Sequence, residues 1–461
     1  MENKVTPRTL SGFMELLPSE QLKFDRIRRI MERVFESYGF FPLDTPVLEA
    51  SEVLLAKAGG ETEKQVYRFK KGDTDMTMRF DQTVPLAKYV AKNAGELTFP
   101  FKRYQIGKVY RGERAQKGRF REFYQCDIDI IGDGKLEIAN DAEMPVVIYD
   151  VLTALGLEDF TFRISNRKVL GGFFSLMQAG ERAGDIMRTV DKLEKIGAQK
   201  VAEELATLGL DADTCAQIIA FVGMRGTNDE VFAFLAQYLG KDSLFDSGYA
   251  ELKQVIDLLG AYGIPAKNYC VDLSIARGLD YYTGTVYETT FDKHPEIGSI
   301  CSGGRYDNLA GFYTSRQLPG VGMAIGLTRL FYVLSHMDPA DPNGYLNGGT
   351  EPPCDLLVLP LTEQADQVAK IAALFRCAGV RTQVYYENAK FKNKMGYADK
   401  LQIPFVLFLG DDELSAGMVK IKNMETGEQL TDTPENLLPL LRAHADAVAN
   451  RKPINTEKTR P

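Results

Sequence analysis

The sequence of 461 residues contains no tryptophan, only three histidines and only six cysteines. The cysteines are scattered, and no two of them form a Cys-x-x-Cys pair. A structural zinc site needs four Cys or His ligands at short spacing, so this chain is not a zinc-finger or zinc-ribbon protein. A disulfide framework is also not expected in so long a chain, and we expect free, buried thiols.

Long apolar runs are missing too. No stretch approaches the roughly 18 apolar residues of a membrane span, and the first residues, MENKVTPRTLSGFMELLP, form no secretory signal. We therefore expect a cytoplasmic protein without a membrane segment. Hydrophobic residues make up 44% of the chain and charged residues 26%, which is typical of globular proteins, and the length favours about three domains.

An excess of positive charge is absent as well, because the formal net charge is -8. A protein that binds nucleic acid mainly through bulk charge is basic, so any such contact has to come from a local patch. One patch lies at residues 111–122, RGERAQKGRFRE, where five basic residues stand against two acidic ones. Its glycines favour a flexible hairpin tip.

Hydrophobic periodicity divides the chain into segments of different character. Residues 20–38 predict an amphipathic helix that ends at Gly39. RYQIGKVYR and FREFYQCDIDIIG predict two strands of an antiparallel hairpin around the basic tip. Between about 169 and 262 the pattern is helical, which indicates a helical insertion within one large mixed sheet. GVGMAIGLTRLFYVLSH predicts a strand that runs into a helix.

The last part of the chain has a separate pattern. Residues 337–353 are rich in Pro, Gly, Asn and Asp, which is the composition of a linker. Strand-like and helix-like runs alternate after it and predict a small α/β domain with a mostly parallel sheet. The polar tail from residue 448 predicts disorder.

Three polar clusters interrupt strands that the pattern places in a core, and such violations are expected at functional sites. The first lies on the hairpin and contains Arg111, Phe123, Gln125 and Asp129. The second is ARGLDYYTG with SGGRYD, and the third is GVGMAIGLTRL, which contains Arg329. A surface hairpin with salt bridges, a tight turn with an Arg-Asp pair, or close packing of a strand on a helix would explain the same residues, and these alternatives stay open at this point.

Three arginines of these clusters, Arg111, Arg277 and Arg329, indicate a kind of ligand. Guanidinium groups stay charged at any working pH and bind phosphate oxygens at two points. The ring of Phe123 suits stacking on a purine, and no P-loop is present to hold phosphates instead. Together these residues favour a nucleoside triphosphate.

As a set, and in their order, the motifs resemble one family. RYQIGKVYRGER with GRFREFYQCDIDIIG resembles motif 2 of the class II aminoacyl-tRNA synthetases, GVGMAIGLTRL resembles motif 3, and the helix that leads to Pro46 resembles motif 1. ARGLDYYTGTVYE and CSGGRYD look like the two signatures of the histidyl-tRNA synthetases. The resemblance extends from about Thr9 to about residue 447.

The resemblance implies an α+β fold, with a class II antiparallel-sheet catalytic domain, a helical insertion and a C-terminal α/β anticodon-binding domain. The implied boundaries are 1–168 and 263–336 for the two parts of the catalytic domain, 169–262 for the insertion, 337–353 for the linker, 354–447 for the anticodon-binding domain and 448–461 for a disordered tail. A homodimer is implied because motif 1 packs across a two-fold axis in this class.

A reaction is implied as well: ATP with Mg²⁺ activates L-histidine to histidyl-adenylate, and tRNA(His) receives the histidyl group. The resemblance implies that Arg111, Glu113, Phe123 and Arg329 bind ATP, and that Arg111 and Arg277 are catalytic. The implied histidine-binding residues are Asp81, Thr83, Gln125, Asp129, Arg277, Tyr281, Tyr282 and Tyr306. No protein metal ligand is assigned, because Thr328 stands where the family often has an acidic residue before the motif 3 arginine.

Two other functions remain as alternatives. A paralogue that has lost catalysis and binds histidine or a nucleotide for regulation would share the fold, but such relatives usually lack the C-terminal domain or the arginine signatures. A nucleotide-binding dehydrogenase would use the glycines at 320, 322 and 326. Their spacing departs from the dinucleotide fingerprint, and no acidic residue follows about 20 positions on.

Overall fold

The structure is a computed structural model, and it describes residues 4–56, 65–116, 118–276, 281–336 and 352–449. The strands of the first 336 residues are β1 (Phe41–Pro42), β2 (Leu48–Ala50), β3 (Arg68–Lys71), β4 (Thr74–Met78), β5 (Phe101–Tyr110), β6 (Glu122–Ile131), β7 (Phe160–Asn166), β8 (Tyr269–Val271), β9 (Thr285–Phe291), β10 (Cys301–Tyr306) and β11 (Gly320–Gly326). The helices of this part are α1 (Pro18–Ser37), α2 (Ser51–Leu54), α3 (Thr83–Asn93), α4 (Ala139–Ala154), α5 (Arg167–Leu176), α6 (Ala183–Val190), α7 (Leu193–Thr207), α8 (Ala212–Val222), α9 (Asn228–Ala236), α10 (Ser243–Ala261) and α11 (Leu327–His336).

One eight-stranded sheet organises this part of the chain, with the strand order β1-β5-β6-β11-β10-β9-β7-β8. The pairs β1–β5 and β7–β8 are parallel, and the other neighbours are antiparallel. The predicted hairpin is confirmed as β5–β6, and the predicted strand that runs into a helix is confirmed as β11–α11. Because β11 pairs with β6, the hairpin and the glycine-rich segment lie side by side in the middle of the sheet.

Two long helices cover apolar residues of this sheet. The helix predicted at 20–38 is α1, whose Phe35 ring lies 5.6 Å from the ring of Tyr104 on β5. Helix α4 is buried around most of its circumference, which is typical of a helix in the interior rather than at the surface.

The helical insertion lies between β7 and β8 and contains no strand over residues 169–262. Helices α5 and α10 approach each other so closely that a Cβ atom built on Gly172 would lie 2.7 Å from the Cα of Phe245. An aromatic core stabilises the insertion, and the rings of Phe173 and Phe221 stack at 3.7 Å. The predicted return to strand structure is confirmed at β8, but the strand ends at Val271 and the next one begins at Thr285.

The C-terminal part has its own sheet. Its strands are β12 (Leu356–Pro360), β13 (Thr382–Val384), β14 (Phe405–Leu409), β15 (Val419–Asn423) and β16 (Gln429–Asp432). Its helices are α12 (Ala365–Cys377), α13 (Phe391–Lys400), α14 (Asp411–Ala416) and α15 (Pro434–Ala449). Phe375 and Leu437 contribute to an apolar cluster on one side of the sheet, and Ala398 and Ile403 contribute to another cluster.

The prediction of a mostly parallel sheet in this domain is wrong. The strand order is β13-β12-β14-β15-β16, and only the pairs of β12 with β13 and with β14 are parallel. The pairs β14–β15 and β15–β16 are antiparallel. The last two strands are joined by a short connection, which suffices for an antiparallel pair, whereas a parallel pair needs a long crossover.

The cysteines and the apolar character of the helices were also predicted from the sequence. All six cysteines are free, as expected, but only four of them are buried, since Cys270 is half-buried and Cys377 is exposed. Within the described residues, no helix combines the length and the apolar character that crossing a bilayer demands.

Candidate active site

The site has a floor of small residues on β10 and β11. Gly322, Ala324 and Gly326 lie opposite Asp129, Asp127 and Gln125 on the β6–β11 ladder. Because these β11 residues have a methyl side chain or none, they leave room above the strand for the polar side chains of β6. A Cβ atom on Gly322 would overlap the carboxylate of Asp129 and lie 2.8 Å from the carbonyl oxygen of Ile128. Gly322 is therefore required because the Asp129 side chain of β6 occupies the space over β11, whereas a Cβ atom on Gly326 would meet its nearest atom only at 3.6 Å.

At one end of this floor, Arg111 lies at the end of β5. Its Nε donates to the carbonyl oxygen of Phe80 at 2.9 Å, and its Nη2 lies 3.5 Å from Oε1 of Gln125. The guanidinium is 5.2 Å from the centroid of the Phe123 ring. The structure therefore brings together three predicted residues, an arginine, an aromatic ring and an amide, on adjacent strands.

Arg329 adds a second cation at this end. It lies in α11, and its guanidinium donates to the carbonyl oxygens of Gly118 at 3.2 Å and Ser299 at 2.5 Å. Burial lowers the pKa of Arg329, and the positive charges of Arg119 and Arg111 lower it further. Cations held this close together repel each other, so an anionic group bound between them would be stabilised.

Glu113 belongs to the same neighbourhood. Its negative charge opposes the lowering of the pKa of Arg329. Its carboxylate lies 3.6 Å from Arg119 and is a third exposed. A ligand at this end of the site would therefore meet one carboxylate among several arginines.

A buried carboxyl group, Asp81, lies in the middle of the site. It precedes α3 and accepts from the backbone N–H of Val84 at 3.2 Å, and its other oxygen is 3.4 Å from the hydroxyl of Tyr281. Thr83 also interacts with the Tyr281 hydroxyl. Burial raises the pKa of Asp81 to about 6, although Val84 and Arg111 oppose the shift. The predicted residues Asp81, Thr83 and Tyr281 are therefore neighbours.

Asp129 forms the other end of the site. Its Oδ1 accepts from the hydroxyl of Tyr306 at 2.6 Å, and its Oδ2 lies 2.7 Å from Nη2 of Arg103. Burial raises the pKa of Asp129, whereas Arg103 and Tyr306 favour its charged form. Burial also raises the pKa of Tyr306 well above its ordinary value, so the phenol keeps its proton and donates it. Asp129 is therefore a carboxylate held by a phenol, and it could accept a hydrogen bond from the N–H of a polar ring.

Three tyrosines line this end. The ring centroid of Tyr281 lies 5.1 Å from that of Tyr282 and 5.9 Å from that of Tyr306, both in edge-to-face geometry. Arg167 donates to the carbonyl oxygen of Tyr282 at 2.9 Å. Burial raises the pKa of Tyr282, and the negative charges of Asp129, Asp127 and Asp81 raise it further. These three carboxyl groups therefore all lie near the phenol of Tyr282.

Arg277, Gly278 and Asp280 lie outside the described residues. Tyr281, directly after this segment, is 5% exposed, and Ala276, directly before it, is 2% exposed. Farther upstream, Asp272 forms ion pairs with Arg163 and with Arg225. The described residues on both sides of the segment are therefore buried or held by ion pairs.

Sequence reasoning missed two buried members of the site. Arg103 on β5 is fully buried and pairs with Asp129, and Asp127 on β6 is 3% exposed. Both are charged residues in strands that alternate polar and apolar side chains, and this pattern alone does not distinguish a buried charge from an exposed one. It did not show which residue opposes which, because the register of a ten-residue hairpin with a long tip is not readable from its turn.

Arg305 corrects another interpretation. In SGGRYD a surface Arg-Asp pair was one alternative, but Arg305 is buried and its Nη1 donates to Asp141 of α4 at 2.7 Å. Its Nε also donates to Asp307 at 3.1 Å. Arg305 therefore ties β10 to a buried helix and is not part of the ligand-facing surface.

A protein-bound metal site is not formed by the described residues, which contain no cluster of three or more potential His, Cys, Asp or Glu ligands. Thr328, in the position noted above, is buried and its hydroxyl accepts from the backbone N–H of Tyr124 at 2.8 Å. That contact joins the start of α11 to β6.

The arrangement has two chemically different ends joined by a buried acidic centre. Arginines, Glu113 and the Phe123 ring at one end suit a base and a polyphosphate. Carboxylate Asp129 with phenol donors at the other end suits a small polar ring. A carboxyl group in the middle suits a cation.

Comparison with known proteins identifies relatives over nearly the whole chain. A sequence profile for histidyl-tRNA synthetases matches residues 12–330, and one for anticodon-binding domains matches residues 355–444. A histidine–tRNA ligase of Clostridium tetani is 50% identical over 95% of this chain and 98% of its own length, and one of Finegoldia magna is 46% identical over 92% and 97%. The crystal structure of histidyl-tRNA synthetase from Nostoc sp. PCC 7120 superposes with a TM-score of 0.82, at 39% identity, over 96% of this chain and 100% of that one.

These relatives match between 92% and 96% of the chain and share the class II fold. The chain belongs to the histidyl-tRNA synthetase family.

Proposed function

We propose that this protein is a histidine–tRNA ligase that forms histidyl-adenylate from histidine and ATP and then esterifies the 3′-terminal adenosine of tRNA(His). The observation that carries the proposal is the two-ended site: an arginine and aromatic end meets a carboxylate and tyrosine end over one glycine floor. The relatives that align over nearly their whole length are histidine–tRNA ligases, which supports the proposal. The regulatory paralogue is not favoured, because this chain keeps the C-terminal domain and Arg111 and Arg329 in the site.

The first step is attack of the histidine carboxylate on the α-phosphorus of ATP, with release of pyrophosphate. It needs no general base, since the carboxylate is already ionised at neutral pH. It needs neutralisation of charge on an in-line transition state. We assign that task to Arg111 at the α-phosphate and to Arg277, with Arg329 on the adenine and the γ-phosphate side.

The adenine is proposed to stack on Phe123 and to offer its amino group to Glu113. Phe123 already has the Arg111 guanidinium 5.2 Å from its centroid, so the base and the α-phosphate would be held by neighbouring groups. Mg²⁺ is proposed to enter bound to the phosphates of ATP, since the described residues supply no cluster of ligands for it.

Histidine is proposed to lie along β6. Its imidazole would donate to Asp129 with the tyrosines around it, and Asp81, Thr83 and Gln125 would hold its ammonium group. Tyr306 and Arg103 occupy one oxygen each of Asp129, so the carboxylate is fixed before the ligand binds. A pocket that reads its substrate by hydrogen bonds rejects analogues lacking them by about 10⁴ or more, so the reaction needs no editing domain.

The glycine floor gives a prediction for histidine binding. Gly322→Ala is expected to raise the KM for histidine by about tenfold or more, because the new methyl group displaces the Asp129 carboxylate that reads the imidazole. The KM for ATP is expected to stay within about twofold, since Phe123 and Arg111 lie at the other end. Pyrophosphate-exchange kinetics against each substrate measure the difference.

Gly311→Ala is the matched control for this substitution. Gly311 is exposed, and a Cβ atom built on it meets no atom within 4 Å. Its kinetics are expected to equal those of the unmodified protein. An unchanged histidine KM in Gly322→Ala would remove Asp129 from the imidazole pocket.

The domain division is proposed from the resemblance to the family. We propose a catalytic domain in two parts, 1–168 and 263–336, an insertion at 169–262, a linker at 337–353, an anticodon-binding domain at 354–447 and a tail at 448–461. The prediction of disorder from residue 448 is wrong for the first two residues of this tail, which belong to α15. The family profiles end and begin near these limits. A homodimer in the cytoplasm is proposed from the class alone.

The transfer step is tested by charging tRNA(His) with labelled histidine. The complete protein is expected to charge it, and a fragment that ends at Pro353 is expected to keep histidine-dependent pyrophosphate exchange but to charge poorly, because the proposed anticodon contacts are missing. Equal charging by the fragment would contradict the role given to residues 354–447.

A further inference from the structure

Asp127 is the acidic residue of the site that the proposed function leaves without a task. Strand alternation places its side chain on the same face of β6 as Gln125 and Asp129, between them along the strand. It is 3% exposed, and no described residue donates a hydrogen bond to its Oδ1. A buried carboxyl oxygen without a donor costs free energy, so such groups are normally paired in the working state of a protein.

Arg103 on β5 is a buried cation that acts on Asp127 through its charge. Its Nη2 lies 2.7 Å from Asp129 and donates to the carbonyl oxygen of Gln82 at 3.3 Å, and its Nε and Nη1 donate to no described residue, so none of its nitrogens satisfies Asp127. Arg111 acts on Asp127 only through its charge and is hydrogen-bonded to Phe80.

The remaining neighbours are acceptors or like charges. Gln105 lies opposite Asp127 on β5 and uses its amide nitrogen on Asp44, which leaves only its own unpaired oxygen in the interior. On the other side, Ala324 has no polar group. Asp81 and Asp129 both act on Asp127 as like charges. Among the described residues no group donates to the Asp127 Oδ1, so this oxygen is left for a cationic donor that a ligand brings.

We propose that Asp127 is a further binding residue for the amino acid, and that its carboxylate, together with Asp81, binds the ammonium group of histidine. This inference rests on the proposed function. Residues two apart on one strand face are separated by about 6.6 Å, so Asp127 stands one such step from Asp129 and one from Gln125. Histidine with its imidazole at Asp129 and its carboxylate toward Arg111 places its ammonium group at that middle step.

Proton release follows from this arrangement. Burial first, and then the negative charges of Asp129 and Asp81, raise the pKa of Asp127 to about 8, while Arg103 and Arg111 oppose the shift. At pH 7.5 the empty pocket therefore holds a proton on Asp127. An ammonium group beside it favours the ionised form, so the carboxyl proton leaves to the buffer when histidine binds, and histidine affinity rises with pH up to about 8.

The first test uses the unmodified full-length protein. Titration calorimetry with histidine at pH 7.5, in two buffers of different ionisation enthalpy, is expected to show release of roughly 0.8 proton per histidine bound. The measurement needs no variant, so a folding defect cannot obscure it. Binding of histidine without proton release would overturn the inference while leaving the proposed function intact, whereas no binding of histidine at all would overturn both.

The second test is the isosteric substitution Asp127→Asn, with two ligands. Histidine affinity is expected to fall about ten- to hundredfold, the loss expected for one hydrogen bond to a charged group, and the proton release is expected to disappear. 3-(Imidazol-4-yl)propionate, which lacks the ammonium group, is expected to bind the variant and the unmodified protein equally well. An equal loss for both ligands would show that Asp127 only supports the structure, and would contradict the inference.

Asp141→Asn serves as the control for removal of a buried carboxyl group. Asp141 is also fully buried and burial raises its pKa to about 6, but its partner is Arg305 rather than a ligand-facing group. This variant is expected to keep the proton release and the histidine affinity of the unmodified protein. Loss of proton release in Asp141→Asn would assign the proton elsewhere and overturn the role of Asp127.

Discussion

Arg277→Ala is expected to lower the rate of histidyl-adenylate formation by about 10³-fold or more, with the affinity for ATP nearly unchanged. The proposed role of Arg277 is to neutralise charge that develops on the α-phosphate in the transition state, and arginines with that role typically contribute 10³ to 10⁵ in rate. An interaction made mainly in the transition state changes kcat rather than ground-state binding. Single-turnover formation of the adenylate and equilibrium binding of ATP separate the two quantities.

A surface arginine provides the control for Arg277. Arg316 pairs with Asp133 and its side chain is 42% exposed, so Arg316→Ala removes the same charge without touching the site. Its adenylate formation is expected to stay within about twofold. Near-normal turnover of Arg277→Ala would remove this residue from the mechanism, and a parallel loss of ATP affinity would change its role from transition-state stabilisation to binding.

Arg111→Ala is expected to lower adenylate formation by about 10²- to 10³-fold, and in this case the KM for ATP rises as well. The guanidinium lies between the carbonyl oxygen of Phe80, the amide of Gln125 and the ring of Phe123. It would meet the α-phosphate in the ground state and in the transition state alike, so its loss affects binding and rate together. The kinetic contrast with Arg277→Ala distinguishes the two arginines.

Lys108→Ala is the matched control on the same strand. Strand alternation directs Lys108 to the face of β5 opposite to that of Gly107, and its ammonium pairs with Glu122 at 2.8 Å. Loss of a cation from this position is expected to leave both kinetic constants within about twofold. If Lys108→Ala and Arg111→Ala fell by the same factor, the effect would come from the hairpin structure rather than from phosphate binding.

Local pattern was sufficient for the hairpin and for the strand that runs into α11, since both are short-range structures with strong periodicity. It also placed Gln125 and Asp129 on one face of β6. The C-terminal sheet shows the limit of that reasoning. Alternation of strands and helices predicted parallel pairing, but β14 and β15 pair antiparallel although the six-residue helix α14 lies between them, and β15 and β16 pair antiparallel with no helix between them.

Partners far apart in sequence were beyond the reach of local pattern. Arg305 reads as a turn residue in SGGRYD, yet its partner Asp141 is 164 positions away and belongs to a buried helix. Arg103 and Asp127 are charged residues whose burial depends on the β5–β6–β11 register, and no short segment encodes that register. The identity of the predicted site residues came from resemblance to a family, and the contacts between them came from the structure.

Amino-acid-dependent ATP–pyrophosphate exchange, with each of the twenty amino acids supplied separately, tests the central claim most directly. Exchange with histidine alone is the predicted result, because the proposed role of the Asp129 carboxylate and its surrounding phenols is to accept from an imidazole, which no other amino acid offers. Exchange with a different amino acid would contradict the assigned pocket. Absence of exchange with all twenty, from folded protein that still binds histidine or ATP, would contradict the ligase function and favour the regulatory paralogue.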